Sequence, residues 1–217
     1  PALEATAQGT AVLTQTIDAE WSAGGLRQAA GATLPPGTFT LQKGLAQIEF
    51  FSGAALVVEA PAEFEIVSSW KVFWRHGKAR VKVPPAARGF EINTPGMKVI
   101  DLGTEFGLDV DRASDGARLQ VFSGEVEAHP VAGRQMNLKQ GQGIEQRGTS
   151  IAALASVRPE DFPGLDHMRE LGRERAATQF ERWRAASLVQ RRDPRLIAYY
   201  PMQPDSTSQR LVRNFAE

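Results

Sequence analysis

The stretch Gly89–Asp111, GFEINTPGMKVIDLGTEFGLDVD, constrains the fold more than any other part of the chain. Phe90, Ile92, Val99, Ile100, Leu102, Phe106, Leu108 and Val110 recur mostly every second residue, which is the strand period. Thr94-Pro95-Gly96 interrupts the first strand. Pro95 fixes its own φ and drives Thr94 extended, and Gly96 permits a positive φ, so a tight reversal is expected. Asp101-Leu102-Gly103-Thr104 reads as a second reversal or bulge. There the Asp101 carboxylate can accept a backbone N–H, and Gly103 can be left-handed. Glu105 to Val110 then alternates again, with one dry and one wet face.

The flanks repeat this grammar. Ala117 to Phe122 is a strand that runs into Phe122-Ser123-Gly124. Upstream, Leu45 to Phe51 runs into Phe51-Ser52-Gly53, then Leu56-Val57-Val58, Pro61 and Phe64-Glu65-Ile66-Val67. An aromatic-Ser-Gly corner thus occurs twice, and Lys43-Gly44 and His76-Gly77 are looser relatives. Short strands broken by glycine at roughly 8–12-residue spacing predict a mainly β fold. The expected architecture is short twisted strands in a sandwich-like or irregular solenoid-like stack, with a C-terminal helical extension.

FSGAALVVEAPAEFEI, GFEINTPGMKVIDLGTEFGLDV and LQVFSGEVEA, in that order, resemble the FecR domain. The resemblance runs from about Leu34 to Gln146. Its signature positions here are Gly53, Pro61, Thr94, Pro95, Asp101, Gly103, Thr104, Glu105, Phe106 and Gly124. It implies a bacterial, non-enzymatic periplasmic sensor and regulator domain of a membrane-anchored anti-sigma factor, acting in signal transduction and transcription regulation. The implied partners are the parent's own membrane helix and cytoplasmic anti-sigma segment, a sigma factor reached indirectly, and an envelope protein or glycan as the signal. The expected compartment is the outer side of the inner membrane.

Composition narrows the alternatives. Lys plus Arg and Asp plus Glu are 25 each, so the net charge is zero and no basic face for nucleic acid is expected. There is no cysteine, which excludes disulfides and thiolate metal sites. No run approaches the roughly 20 apolar residues of a membrane helix. The chain begins at Pro1 with no methionine and reads as a fragment of a longer protein.

Four segments are expected: residues 1–8 as a flexible lead-in, 9–149 as the FecR-like all-β domain, 150–194 as a helical linker, and 195–217 as the truncated start of a laminin-G-like β-sandwich. Gly9–Ile17 reads as the first strand, and Asp18–Trp21 as an irregular piece. Leu165–Gln190 reads as a helix with an apolar stripe of Leu165, Met168, Gly172, Ala176, Phe180 and Trp183. Its packing on the β domain is the plainer reading, and self-association the other. Trp70, Trp74, Phe180 and Trp183 are the candidate interaction surface, although for the aromatics at Trp70–Trp74 a cap on the open end of the β core is the plainer reading.

Chemistry is sparse. His76, His129 and His167 are scattered, no metal spacing occurs, and no cofactor is expected. The best carboxylate pairs for sugar hydrolysis are Asp101 with Glu105, or Glu49 with Glu65. Charge on a wet sheet face gives the same pattern, so no catalytic residue is assigned. The alternative function, a carbohydrate-binding or carbohydrate-active envelope protein with the β domain as scaffold, rests on the C-terminal segment.

Overall fold

The computed structural model describes residues 9–22, 29–114, 116–195 and 197. The chain divides into two compact units, residues 1–169 and 170–217. The first holds thirteen strands: β1 (Ala11–Trp21), β2 (Thr33–Leu34), β3 (Gly37–Phe50), β4 (Ala55–Ser68), β5 (Lys71–Lys82), β6 (Glu91–Asn93), β7 (Met97–Asp101), β8 (Glu105–Val110), β9 (Ala117–Ser123), β10 (Glu125–Pro130), β11 (Met136–Lys139), β12 (Gly143–Arg147) and β13 (Ser150–Ala153). Helix α1 spans Leu165–Gln190. The mainly β reading with one C-terminal helix therefore holds.

Three strands are longer than the sequence suggested. The run read from Leu45 extends back through Gly44 to Gly37 in β3, the pieces on either side of Pro61 merge into β4, and β5 runs through Gly77. The breakers are absorbed as bulges rather than turns. Register shifts between Ile17 and Glu20 on β1, Leu41 and Leu45 on β3, and Glu59 and Glu63 on β4 lie in one row across the sheet. Asp18, Gly44 and Gly77 have positive φ there, and the Ala60–Pro61 peptide is cis. A bulge inserts a residue and re-aims the strand without ending it. That is why Asp18–Trp21, expected to be irregular, stays in β1.

The strands form an open, largely antiparallel sheet that forks at β5. Its N-terminal half, Lys71–Phe73, pairs in parallel with β6, and Gly77–Lys82 pairs antiparallel with β8. One arm continues through β7, β10 and β11, the other through β9, β12 and β13. Apolar residues of β3, β4, β5 and both arms fall into one buried cluster, including Ile48, Leu56, Phe64, Trp74, Phe90, Ile92, Phe106 and Leu119. Phe64 stacks on Trp74 with centroids 5.1 Å apart at 7°, and Phe39 on Phe64 at 5.8 Å. The Trp74 indole N–H donates to the Gly77 carbonyl at 2.9 Å. Trp74 has no exposed surface, so it leaves the candidate interaction surface and belongs to the core. Trp70 does not share its strand face: it lies in the turn between β4 and β5 and is 44% exposed.

The short β5–β6 ladder carries a three-charge cluster. Glu91 on β6 pairs with Lys71 of β5 at 2.7 Å and Lys98 of β7 at 3.4 Å. The hydrogen bond from Lys71, with those from Asn93 and Lys98, holds the Glu91 carboxyl below its ordinary range against the opposing effect of burial. A depressed carboxyl stabilises the fold above its unfolded pKa, and that contribution is lost as pH falls through the folded value. The charges are partly exposed, so the contribution is at most about 1 kcal/mol. Glu91→Gln should therefore cost about 0.5 kcal/mol at pH 7 and less at a pH below the folded value, read from urea unfolding. An equal cost at both pH values would show that the ion pairs are not its source.

Candidate functional site

Asp101, the last residue of β7, organises the centre of the predicted signature. Its side chain is fully buried. It accepts the Gly103 N–H at 2.6 Å, the Thr104 N–H at 3.0 Å, and the Thr104 hydroxyl. Gly103 sits at φ +99°, a conformation that favours glycine. Burial pushes the Asp101 carboxyl up, against these donors and the charge of Arg88, which pull it down. The Asp101 turn carries the chain from one arm of the fork to the other.

Two further crossings lie beside it. Gly124, at φ +80°, leads from β9 to β10, and Gly141, also at φ +80°, leads from β11 to β12. The Leu102 N–H donates to the Glu125 carbonyl at 3.3 Å, and the Gln140 N–H to the Gly124 carbonyl at 2.9 Å. A Cβ on Gly124 would lie 2.6 Å from Thr104 Cγ2 and 2.9 Å from the Gly103 carbonyl oxygen. The crossings thus stack as a column of corners. The two aromatic-Ser-Gly motifs differ in role: Gly124 crosses between arms, whereas Gly53 closes the β3–β4 hairpin through its N–H to the Phe50 carbonyl.

The other signature residues are structural neighbours of this column. Thr94 is buried; its N–H donates to the Met97 carbonyl and its Oγ1 accepts the Met97 N–H, closing the turn around exposed Pro95. Gly96 does not have the positive φ it permits. A Cβ there would lie 2.7 Å from the Gln146 side-chain amide, which would have to shift to admit it. Phe106 is core. Pro61 lies in the bulge row. Phe180 and Trp183 on α1 are 47% and 39% exposed, with centroids 5.6 Å apart.

The carboxylates do not converge on a catalytic centre. Asp101 is sealed in its corner, and Glu105 is held by Arg80 at 2.7 Å. Glu49 accepts from Gln47, and Glu65 pairs with Arg75. Among the described residues no group of His, Cys, Asp and Glu is placed to hold a metal.

Sequence reasoning missed Arg80. This β5 residue sits on the outer face of the sheet under the segment that follows β13. Its Nε donates to Glu105, and Nη1 donates to the Pro159 and Phe162 carbonyls, both at 3.2 Å. Its guanidinium lies 4.8 Å from the Phe122 ring centroid. Phe162 is buried and tilted against Phe122 at 5.7 Å. Gln120 accepts the Arg158 N–H at 2.7 Å, and Gln15 donates to the Met168 carbonyl at 2.7 Å. A groove of about 790 Å³ runs alongside, lined by Gly44, Glu59, Arg80, Lys82, Glu105 and residues 159–167 among others. The signal was Gly107: a glycine inside a strand marks a close approach. A Cβ there would meet Phe122 at 2.7 Å and Phe162 at 2.8 Å.

Fold and site together define a β scaffold built of buried corners, and the candidate carboxylates do not converge among the described residues. Residues 38–127 match the family model described as FecR protein, so the chain carries a FecR-like domain over that stretch. The match runs from β3 into β10 and takes in the Asp101 corner. Two solved structures of a candidate anti-sigma factor from Parabacteroides distasonis ATCC 8503 are similar. One, at 2.50 Å resolution, is 17% identical with a TM-score of 0.48, covering 55% of this chain and 59% of its own. The other, at 1.65 Å, is 18% identical with a TM-score of 0.47, covering 54% and 58%. The chain thus spans less than two thirds of those structures. No curated protein matches. No helix among the described residues is long and apolar enough to cross a membrane. The laminin-G-like segment expected at 195–217 lies almost wholly outside the described residues.

Proposed function

We propose that residues 9–149 are the extracytoplasmic sensor of a membrane-spanning anti-sigma factor. The domain receives an envelope signal and passes it, through residues 150–194 and a membrane helix of the full-length protein, to a cytoplasmic segment that controls an extracytoplasmic-function sigma factor. The role is regulatory and non-enzymatic. The observation that carries this reading is the FecR match across residues 38–127, which spans the Asp101 corner. The buried, fully bonded corners support it, because they give a rigid body able to transmit a binding event rather than a site for bond chemistry.

The test is made in cells on the full-length protein. Removing residues 9–149 in frame should switch one sigma-dependent set of promoters on or off, read as genome-wide transcripts. Unchanged transcription with altered polysaccharide use would overturn the regulatory reading and favour a carbohydrate-binding or carbohydrate-active scaffold.

A further inference from the structure

We propose that residues 157–168 are an exchangeable strap, and that its seat on β5, β8 and β9 takes a segment of a partner protein that makes one tight turn before an aromatic residue followed by proline. The inference stands on the geometry of the seat and holds whether or not the chain controls a sigma factor.

The seat is shaped for such a segment. Arg80 supplies Nη1 to the carbonyls of Pro159 and Phe162, which bracket one short turn, so it reads the backbone of that turn rather than a particular side chain. Gln120 reads one main-chain N–H. Specificity comes from one ring: Phe162 lies over Gly107 and against Phe122, and any side chain at 107 would fill its place. The strap is thinned to match, since a Cβ on Gly164 would lie 3.2 Å from the Arg80 guanidinium. Pro159 opens the short turn before the ring, and Pro163 follows Phe162, whose own backbone is extended. Glu160 and Asp161 border the groove together with Arg80 and Lys82.

The strap is also built to leave. Apart from one short turn at Pro159–Asp161 it has no regular structure before α1, and it adds no strand to the sheet. Residues 158–161 are exposed, and Phe162 and Met168 are its two buried plugs. Segments with few buried contacts and exposed backbone open below the global unfolding free energy. A partner segment that supplies its own ring and carbonyls replaces each interaction the strap gives up.

Hydrogen exchange on the intact chain tests the first half. The amides of Arg158, Phe162 and Met168 should exchange at least tenfold faster than those of β4 and β5. Exchange of all of them only together with the strands would overturn the proposal. For the second half, a labelled peptide VRPEDFPGLD is titrated onto the full-length Phe162→Ala chain. It should bind at least tenfold more tightly than to wild type, and at least tenfold more tightly than to Phe162→Ala with Arg80→Gln. If Phe162→Ala loses strand protection, wild type at high peptide concentration decides. Faster exchange at the strap amides supports the proposal. No binding to a folded Phe162→Ala chain, or no acceleration in wild type, overturns it.

Discussion

Gly77→Ala should destabilise the β domain by about 3–5 kcal/mol, whereas Gly103→Ala should cost about 1–2 kcal/mol. Both glycines sit near φ +98°, so both substitutions carry the left-handed penalty of a residue with a Cβ. The surroundings separate them. At Gly103 an added Cβ would lie 3.5 Å from Arg88 Cγ, an ordinary contact with a flexible side chain. At Gly77 it would lie 2.4 Å from the Pro61 carbonyl oxygen and 2.7 Å from Ala62 Cα. Those are main-chain atoms of β4 in the bulge row, and they can move only by displacing the strand. Overpacking of that kind adds about 1–3 kcal/mol to the backbone term. The same shift would also disturb the carbonyl of residue 77 that accepts the Trp74 indole N–H. Urea unfolding of the two variants side by side gives the answer. Equal losses would mean that the bulge row yields freely and does not hold the sheet's bend.

That pair also shows what a sequence of this kind discloses. Alternation exposed the strands, and the Asp-x-Gly-Thr spacing exposed the Asp101 corner, because a short carboxylate followed by glycine leaves few other local solutions. Helix α1 was legible to its ends, since its three- and four-residue apolar spacing starts at Leu165 and Pro194 lies beyond it. Glycine was read less well. The pattern marks Gly44, Gly77 and Gly107 as exceptions in strands, but only the neighbouring strands decide whether each is a corner, a bulge or a bare patch under another segment. Trp74 was left between two readings for a related reason, since a run of aromatics says which faces alternate and not which face is dry; its burial decides for the core. Arg80 left no local trace at all. Its partners Glu105, Phe122, Pro159 and Phe162 are 25 to 82 residues away, and a lone arginine on a wet strand face looks like solvated charge.

Asp101→Ala is expected to cost about 3 kcal/mol, and to do so by emptying the corner rather than the core. The side chain lost is small, and burial of its methylene is a minor term. What remains are two backbone N–H groups, of Gly103 and Thr104, and the Thr104 hydroxyl, all aimed at a carboxylate no longer there. A buried donor without an acceptor costs about 1–3 kcal/mol, and the corner would have to open to admit water. Opening it loosens the neighbouring crossing, because Leu102 N–H bonds to Glu125 and Gly124 packs directly on Thr104. Thr104→Val separates the contributions. It removes the hydroxyl donor, leaves both backbone donors with their acceptor, and should cost about 1 kcal/mol. In the double variant the loss should fall short of the sum, because with Asp101 gone the hydroxyl has already lost its acceptor. Chemical denaturation of the four proteins measures the coupling. Strict additivity would show that Asp101 and Thr104 stabilise the fold independently, and the corner would then be a bend in the chain rather than a bonded unit.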